Sequence, residues 1–139
     1  MAKQTGLGDY VAVDDSGGTA RDISNDISGG YGINMGQELV ETSGLDKSAR
    51  ERLTGMSDAD ISFSGTFNAA SNKSHDVFKT RTTVRTVDIR IGGNSSSNPK
   101  LAMEMVVASY SIARDSAGAL TWTATMNLAD GTVPAWTTV

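Results

Sequence analysis

The 139-residue sequence contains no cysteine, one histidine and two prolines, and aromatic residues make up 6% of it. The absence of cysteine excludes a disulfide framework and any thiolate metal site, so the fold depends on apolar burial, hydrogen bonding and contacts with other subunits. A lone histidine, His75, offers no second imidazole for a zinc site. A chain of this length predicts a single domain, residues 1–139, with one core.

Catalytic and cofactor motifs are also missing. A Ser-His-Asp triad would have to include His75, and no G-x-S-x-G motif accompanies it. The glycines of residues 29–32 match neither dinucleotide nor P-loop spacing, and the aspartates at 14–15 and 58–60 do not follow the spacing of a calcium loop. We therefore expect a protein that is not an enzyme, with no catalytic residue, cofactor or metal site.

The charge balance is mildly acidic. The net charge of −4 comes from 12 basic and 16 acidic residues, which argues against a protein that holds nucleic acid by neutralising phosphates but not against one that touches DNA in passing. No apolar run approaches the ~20 residues of a membrane span, and no apolar signal segment follows the N-terminus. We expect a soluble product of the cytosol with no membrane partner.

Alternating apolar and polar residues predict a mainly β chain. The clearest strand is 120–128, and 101–113 has apolar residues on both parities, which indicates a strand covered on both sides or one that changes its buried face midway. Further strands are predicted at 10–13, 20–23, 31–35, 61–67 and 82–91. Strands at turn-marked spacing favour an antiparallel β-sandwich or barrel with one or two short flanking helices.

Two helical segments and two irregular ends complete the prediction. Ser43-Gly44-Leu45-Asp46 fits a capping box, and apolar residues spaced by four follow it, which predicts a helix over 45–54. Residues 71–80 read as a loop with one helical turn. An N-terminal arm, 1–8, and a C-terminal tail, 133–139, are expected to become ordered only in an assembly.

Several sequence segments resemble the major tail tube proteins of long-tailed, siphovirus-type phages of actinobacteria. The likeness covers nearly the whole chain in order, and departs mainly around residues 28–36 and 92–99. The segments that carry it are Met1–Gly8, Val13–Ile27, Thr42–Leu53, Ile61–Asn68, Lys73–Thr80 and Leu128–Trp136.

This resemblance implies a β-sandwich subunit with a flanking helix, joined edge to edge into hexameric rings that stack as a hollow tube in the virion. The tube is the conduit for DNA ejection, so double-stranded DNA passes transiently, and tape measure, tail terminator and distal tail proteins are the implied partners. Self-assembly of this kind needs a heterologous interface that closes by rotation and exposed strand edges that accept a neighbour.

Two sets of residues are hypothesised to serve such an assembly. Leu7, Leu45, Leu53 and Trp136 are candidates for the subunit interface, and Asp88 and Glu104 for the lumen, because Lys or Arg lining it would bind the genome. The same composition is also compatible with a capsid decoration or adhesin-type binding module. An enzyme is the weakest alternative, since no acid, base and nucleophile converge in the sequence.

Overall fold

Eight strands, one short helix and one 3-10 turn make up the computed structural model, which describes residues 3–139. The first two residues of the predicted arm lie outside this range. The strands are β1 Tyr10–Asp14, β2 Ala20–Asp22, β3 Gly30–Glu41, β4 Arg52–Thr66, β5 Arg85–Arg90, β6 Pro99–Arg114, β7 Leu120–Leu128 and β8 Trp136–Thr138; the 3-10 turn is Ser24–Asp26 and the helix, α1, is Ser74–Phe78. The mainly antiparallel β architecture predicted from the sequence is confirmed, as is the single helical turn within 71–80.

All pairings are antiparallel, in the order β2-β1-β5-β6-β7-β4-β3, with β8 added to the start of β6. The long strand β6 pairs with β5 through Lys100–Met105 and with β7 through Met105–Arg114. It therefore belongs to two layers, which we call layer one (β2, β1, β5 and the first part of β6) and layer two (the second part of β6, β7, β4 and β3).

A register shift in β6 marks the change of layer. Pairing with β7 jumps between Val107 and Ser109, and the buried positions move from odd residues such as Met105 to Tyr110, which packs on the core. Bulges let one strand serve two sheets of a sandwich. Of the two explanations offered for the apolar residues on both parities of 101–113, the structure shows the change of buried face.

One core lies between the layers. Val11 and Val13 of β1 share it with Ile61 and Phe63 of β4, although these strands are far apart in the sheet order. Helix α1 closes one side with Val77 and Phe78, and the Phe78 ring lies 5.3 Å from that of Trp122. Apolar burial of this kind supplies most of the favourable free energy of folding.

Two buried polar side chains hold the connections around α1. The Asp26 carboxylate accepts hydrogen bonds from Asn68 Nδ2 (2.8 Å) and from the backbone N–H of Ser74 at the start of the helix (2.9 Å). The Arg85 side chain is 0% exposed, and its guanidinium donates to the carbonyl oxygens of Asp14, Val77, Thr80 and Thr82. Arg85 thus ties the segment between α1 and β5 to β1.

The predicted helix over 45–54 is wrong. Residues 42–51 form the loop of a long β3–β4 hairpin, in which the Ser43 hydroxyl accepts the N–H of Glu51 at 2.7 Å instead of capping a helix. An amphipathic helix gains its stability from packing its apolar face, and Leu45 is fully exposed, so the single chain offers that face no partner.

Both end segments make contacts within the single chain. Trp136–Thr138 pairs with Pro99–Leu101 as β8, so the expectation that the C-terminal tail orders only in an assembly is wrong for these residues. In the N-terminal arm, Gln4 donates to the carbonyl of Ile91 at 3.1 Å. Just after residues 1–8, the Asp9 carboxylate accepts hydrogen bonds from Gly92 N–H (2.7 Å) and from the Tyr31 hydroxyl (2.5 Å).

Candidate assembly surfaces

Layer two has an unpaired strand edge on each side. On one side lies β3, which pairs only with β4 and ends the strand order. On the other side, β5 occupies one edge of β6 as far as Met105, and no strand in the described chain pairs with that edge over residues 106–114. Nine residues of open edge correspond to about 30 Å of unpaired N–H and C=O groups.

The far end of the β3–β4 hairpin extends past the partner strands. On its other edge β4 pairs with β7 only from Asp60 to Thr66, so the hairpin from Gln37 to Ser57 pairs with no other strand there. We call this hairpin the arm, as distinct from the N-terminal arm, residues 1–8. A bulge between Gln37 and Leu39 interrupts the hairpin register at this point. The arm is braced by an ion pair between Arg50 and Glu41 at 3.0 Å.

Apolar side chains are exposed along the arm. Val40 and Leu53 lie directly opposite each other on one face, with exposures of 47% and 62%. Leu39, Leu45 and Met56 are exposed on the same hairpin. A cluster of exposed apolar side chains on one projecting element marks an interaction surface more often than scattered single ones do.

The predicted interface residues are all accessible, but they do not form one patch. Leu45 and Leu53 belong to the arm, whereas Leu7 precedes β1 and Trp136 begins β8 against Leu101. Each is at least 46% exposed. The two arm residues therefore belong to one hairpin, whereas Leu7 and Trp136 lie next to β1 and on β8.

The predicted lumen residues Asp88 and Glu104 lie on the outer face of layer one, where charges of both signs meet. Asp88 forms ion pairs with Arg90 (3.0 Å) and Lys100 (3.9 Å), and its hydrogen bond raises the pKa of Arg90. Glu104 accepts from the Thr86 hydroxyl at 2.6 Å. This face therefore carries two cations, Arg90 and Lys100, and the register also places Asp14 and Asp22 on it.

His75 packs beside two aromatic residues. Its Nδ1 lies 3.1 Å from the Tyr110 hydroxyl and its ring lies 5.0 Å from that of Phe67. Tyr110 packs against the core, and its burial raises the pKa of its hydroxyl. Among residues 3–139, no three Asp, Glu or His side chains cluster as metal ligands would.

The helix of the described chain is too short to cross a membrane.

The fold is shared with chains of solved particle structures. A chain of the tail of an empty gene transfer agent particle, determined with C6 symmetry, superposes with a TM-score of 0.75 at 20% identity, covering 99% of each chain. A chain of the native gene transfer agent virion gives 0.73 at 19% identity, again over 99% of each chain. A chain of the six-fold symmetrised anti-feeding prophage baseplate gives 0.70 at 14% identity, over 99% of this chain and 97% of that one.

No family model matches the sequence, and no curated protein matches it. At these identities the three structural matches establish the fold alone, over essentially the full length of each chain.

Proposed function

We propose that this protein is the structural subunit of a phage tail tube, which assembles as hexameric rings stacked into a hollow conduit for DNA. The observation that carries the proposal is the pair of open edges on opposite sides of layer two. A surface that differs on the two sides of a subunit makes a heterologous contact, and such contacts close into rings.

In this assembly the open edge of β3 pairs with the open edge of β6 in the next copy. Main-chain hydrogen bonds across the joint satisfy groups that the single chain leaves to solvent. Repeating the step around six copies closes one continuous sheet. The C6 and six-fold symmetries of the matching tail structures support six as the ring number.

The arm supplies the contact between neighbouring rings. Its apolar face, with Val40 opposite Leu53, has no partner within the described chain and is covered when an identical copy stacks on it. Leu7, Leu45 and Trp136 remain proposed interface residues by the same reasoning, since each exposes an apolar side chain.

The kind of phage and the partner proteins are proposed from the sequence resemblance. We assign the subunit to a siphovirus-type tail of an actinobacteriophage, made in the host cytoplasm and incorporated into the virion. Tape measure, tail terminator and distal tail proteins are its proposed partners, and double-stranded DNA crosses the lumen without being held.

A cross-linking experiment tests ring closure. Because the chain has no cysteine, the double substitution Asn34→Cys and Ser111→Cys places one thiol on each open edge. Treatment of assembled protein with a short bis-maleimide should give a ladder that ends at six subunits in denaturing gels. Each single variant serves as the control and should give nothing beyond dimers.

Electron microscopy of the purified protein gives the independent readout. Tubes of stacked six-membered rings support the proposal, whereas separate particles and no cross-linked ladder overturn it and favour a decoration or adhesin-type module.

A matched pair of substitutions tests the arm. Val40 and Val84 have nearly equal exposures, 47% and 49%, but only Val40 lies on the arm. Val40→Glu should abolish stacking because it buries a charge in the ring contact, and Val84→Glu should leave tubes intact. Equal assembly by both variants would exclude the arm from the contact.

A further inference from the structure

Leu7 stands at the tip of a tight turn and is 83% exposed. The backbone N–H of Asp9 donates to the carbonyl of Gly6 at 3.2 Å, which closes the turn around Leu7 and Gly8. Gly8 has a φ of +85°, as the third residue of a type II turn requires, and this conformation favours glycine. The backbone therefore holds this apolar side chain in one place.

Three hydrogen bonds anchor residues 6–9, which we call the Leu7 turn, to the body of the chain. The Asp9 carboxylate accepts from Gly92 N–H at 2.7 Å and from the Tyr31 hydroxyl at 2.5 Å. Gln4, just before the turn, donates to the carbonyl of Ile91 at 3.1 Å. Because the turn is already ordered in the single chain, little conformational entropy is lost when a partner covers Leu7.

A groove of matching size runs along both sides of residues 128–134, and we call it the C-terminal groove. On one side a cavity of 210 Å³ lies against Met103 and Glu104, and on the other a cavity of 300 Å³ lies against Met56 at the base of the arm. Val133 lines both cavities and is 63% exposed. A cavity of about 150 Å³ holds a benzene molecule, so either cavity has room for a leucine side chain.

The Leu7 turn and the C-terminal groove lie at opposite ends of layer two. The turn is held by Tyr31 at the start of β3, whereas the groove lies beside Gln37, where the arm begins. The strand between these two positions is about 20 Å long. Leu7 therefore does not reach the groove of its own chain, and only another copy brings the two together.

The proposed tube places these two ends against each other. Neighbours in a ring join through the open edges of β3 and β6, which lie on the two sides of layer two. The strand ends then face the rings above and below, because strand edges and strand ends point in perpendicular directions. Stacked copies share one orientation, so the turn end of one ring meets the groove end of the next.

We propose that the Leu7 turn of each subunit docks in the C-terminal groove of a subunit in the neighbouring ring, at the base of that subunit's arm. This inference rests on the proposed tube and names two surfaces that meet along its axis. The exposed side chains of Leu7, Met56 and Val133, which have no cover in the single chain, are buried together in this contact.

The charges agree with this pairing. Lys3 is exposed just before the Leu7 turn, and no acidic residue precedes Asp9 in the sequence. The cavity beside β6 is lined by Glu104 and Asp130, neither of which forms an ion pair within residues 3–139. A basic segment thus meets an acidic rim around an apolar contact, which orients the two partners.

Cross-linking between rings tests the docking. Because the chain has no cysteine, Thr5→Cys and Thr132→Cys place one thiol beside the turn and one in the groove while leaving Leu7 in place. A short bis-maleimide should link tubes of this double variant into a ladder that continues beyond six subunits, because stacking does not close.

The matched control is the double variant Thr5→Cys and Ala117→Cys. Ala117 is exposed in the connection between β6 and β7, at the same end of layer two as the Leu7 turn. Two thiols at one end cannot join stacked rings, so this variant should give no ladder beyond six subunits.

Each other result has a definite meaning. A ladder beyond six from both double variants would overturn the docking. So would the lack of one from the Thr5 and Thr132 pair when the Asn34→Cys and Ser111→Cys variant still closes at six, and the tube itself would then stand. Absence of tubes from the unsubstituted protein would instead refute the proposed function. If Thr132→Cys alone fails to assemble, Val133→Cys in the same groove takes its place.

The concentration needed for tube formation gives a second measurement. Leu7→Ser should raise it at least about tenfold, because the buried apolar surface of a leucine is lost. Val84→Ser, whose side chain is 49% exposed outside the groove, should change it about twofold or less. Equal effects of these two substitutions would exclude Leu7 as the anchor.

A charge exchange tests the acidic rim. Lys3→Glu should raise the same concentration about twofold to fivefold at low salt, and adding Glu104→Lys should restore the original value. A combined variant that assembles no better than Lys3→Glu alone would contradict the pairing of these two charges.

Discussion

The buried Arg85 makes the clearest prediction about stability. Arg85→Met keeps an unbranched side chain of similar length but removes every donor that holds the segment between α1 and β5. The guanidinium donates to four backbone carbonyls and to the Thr83 hydroxyl at 3.2 Å. Burial lowers its pKa, while the charges of Asp15 and Asp14 oppose that effect. An arginine nevertheless stays protonated.

The expected loss is about 3–5 kcal/mol of unfolding free energy. Hydrogen bonds from a charged donor contribute roughly 1.5–3 kcal/mol each, and a buried carbonyl left unpaired costs about 1–3 kcal/mol. The sum is reduced because Thr80 and Thr82 are exposed, so water can reach their carbonyls, whereas Val77 is fully buried. Replacing a buried ion pair with apolar residues is sometimes neutral, but here the acceptors are backbone atoms that no substitution removes.

Urea unfolding, followed by the fluorescence of the buried Trp122 at concentrations too low for assembly, gives the measurement. Arg81→Met is the matched control, because Arg81 lies in the same segment with its side chain exposed, and its effect should stay within about 0.5 kcal/mol. Arg85→Lys should fall between the two, since an ammonium group donates fewer hydrogen bonds. An Arg85→Met variant as stable as the Arg81→Met control would refute the account of Arg85 as a structural cation.

Two further predictions concern single contacts. Gly65→Ala should destabilise the protein by about 3 kcal/mol or more, because a Cβ there would overlap the carbonyl oxygen of Asp26. Gly36→Ala, with open space around it, should leave the urea midpoint nearly unchanged, and similar midpoints for the two variants would contradict the close approach. Tyr31→Phe should cost about 1–3 kcal/mol at neutral pH by removing the bond to Asp9. Burial and Asp9 raise the pKa of Tyr31 in the folded state, so the wild-type protein should lose stability as pH rises above about 10. The phenylalanine variant should lose less over the same range, and parallel alkaline curves would exclude the contribution of Tyr31.

The strands could be predicted because their burial follows alternation. Trp122, Ala124 and Met126 are buried and alternate with threonine and asparagine, so β7 lies where the pattern predicts. β6 was harder, because its apolar residues on both parities left open a strand covered on both sides or a change of buried face. The register shift after Val107 shows that the buried face changes. In both strands the local pattern and the packing agree.

The sequence failed where local signals compete with long-range pairing. Ser43 and Asp46 have capping-box spacing, but Ser43 instead bonds Glu51 across the hairpin loop. The far part of β4 has no clean alternation, since Leu53 and Met56 are both exposed, and it is a strand because β3 pairs with it. Nothing in the neighbours of Arg85 along the chain indicates that its guanidinium donates to four carbonyls.

The candidate surfaces could be predicted only in part for the same reason. Alternation identifies which residues of one strand share a side. The composition of the outer face of layer two follows only when the strand register is known, for example that Ser62 lies opposite Thr125 and Thr125 opposite Ser109. The absence of lysine and arginine from that face in the described part of the chain is a property of the register. A comparison of Lys79, Arg81, Arg85 and Arg90 along the chain does not reveal it.

The two ends of the strand order differ in a way that fits the proposed assembly. β2 ends the order on one side with three residues, and short edge strands of this kind resist unwanted pairing. β3 ends it with twelve residues, and in the stretch that pairs with Asp60–Ser64 it carries Gly30, Gly32 and Asn34 on its outer side, with no lysine, proline or inward charge to block a neighbour. A long, unprotected edge is a hazard in a monomer, because any extended segment can add to it. In the proposed assembly the open edge of β6 beyond Met105 pairs with it in every copy, which removes the hazard.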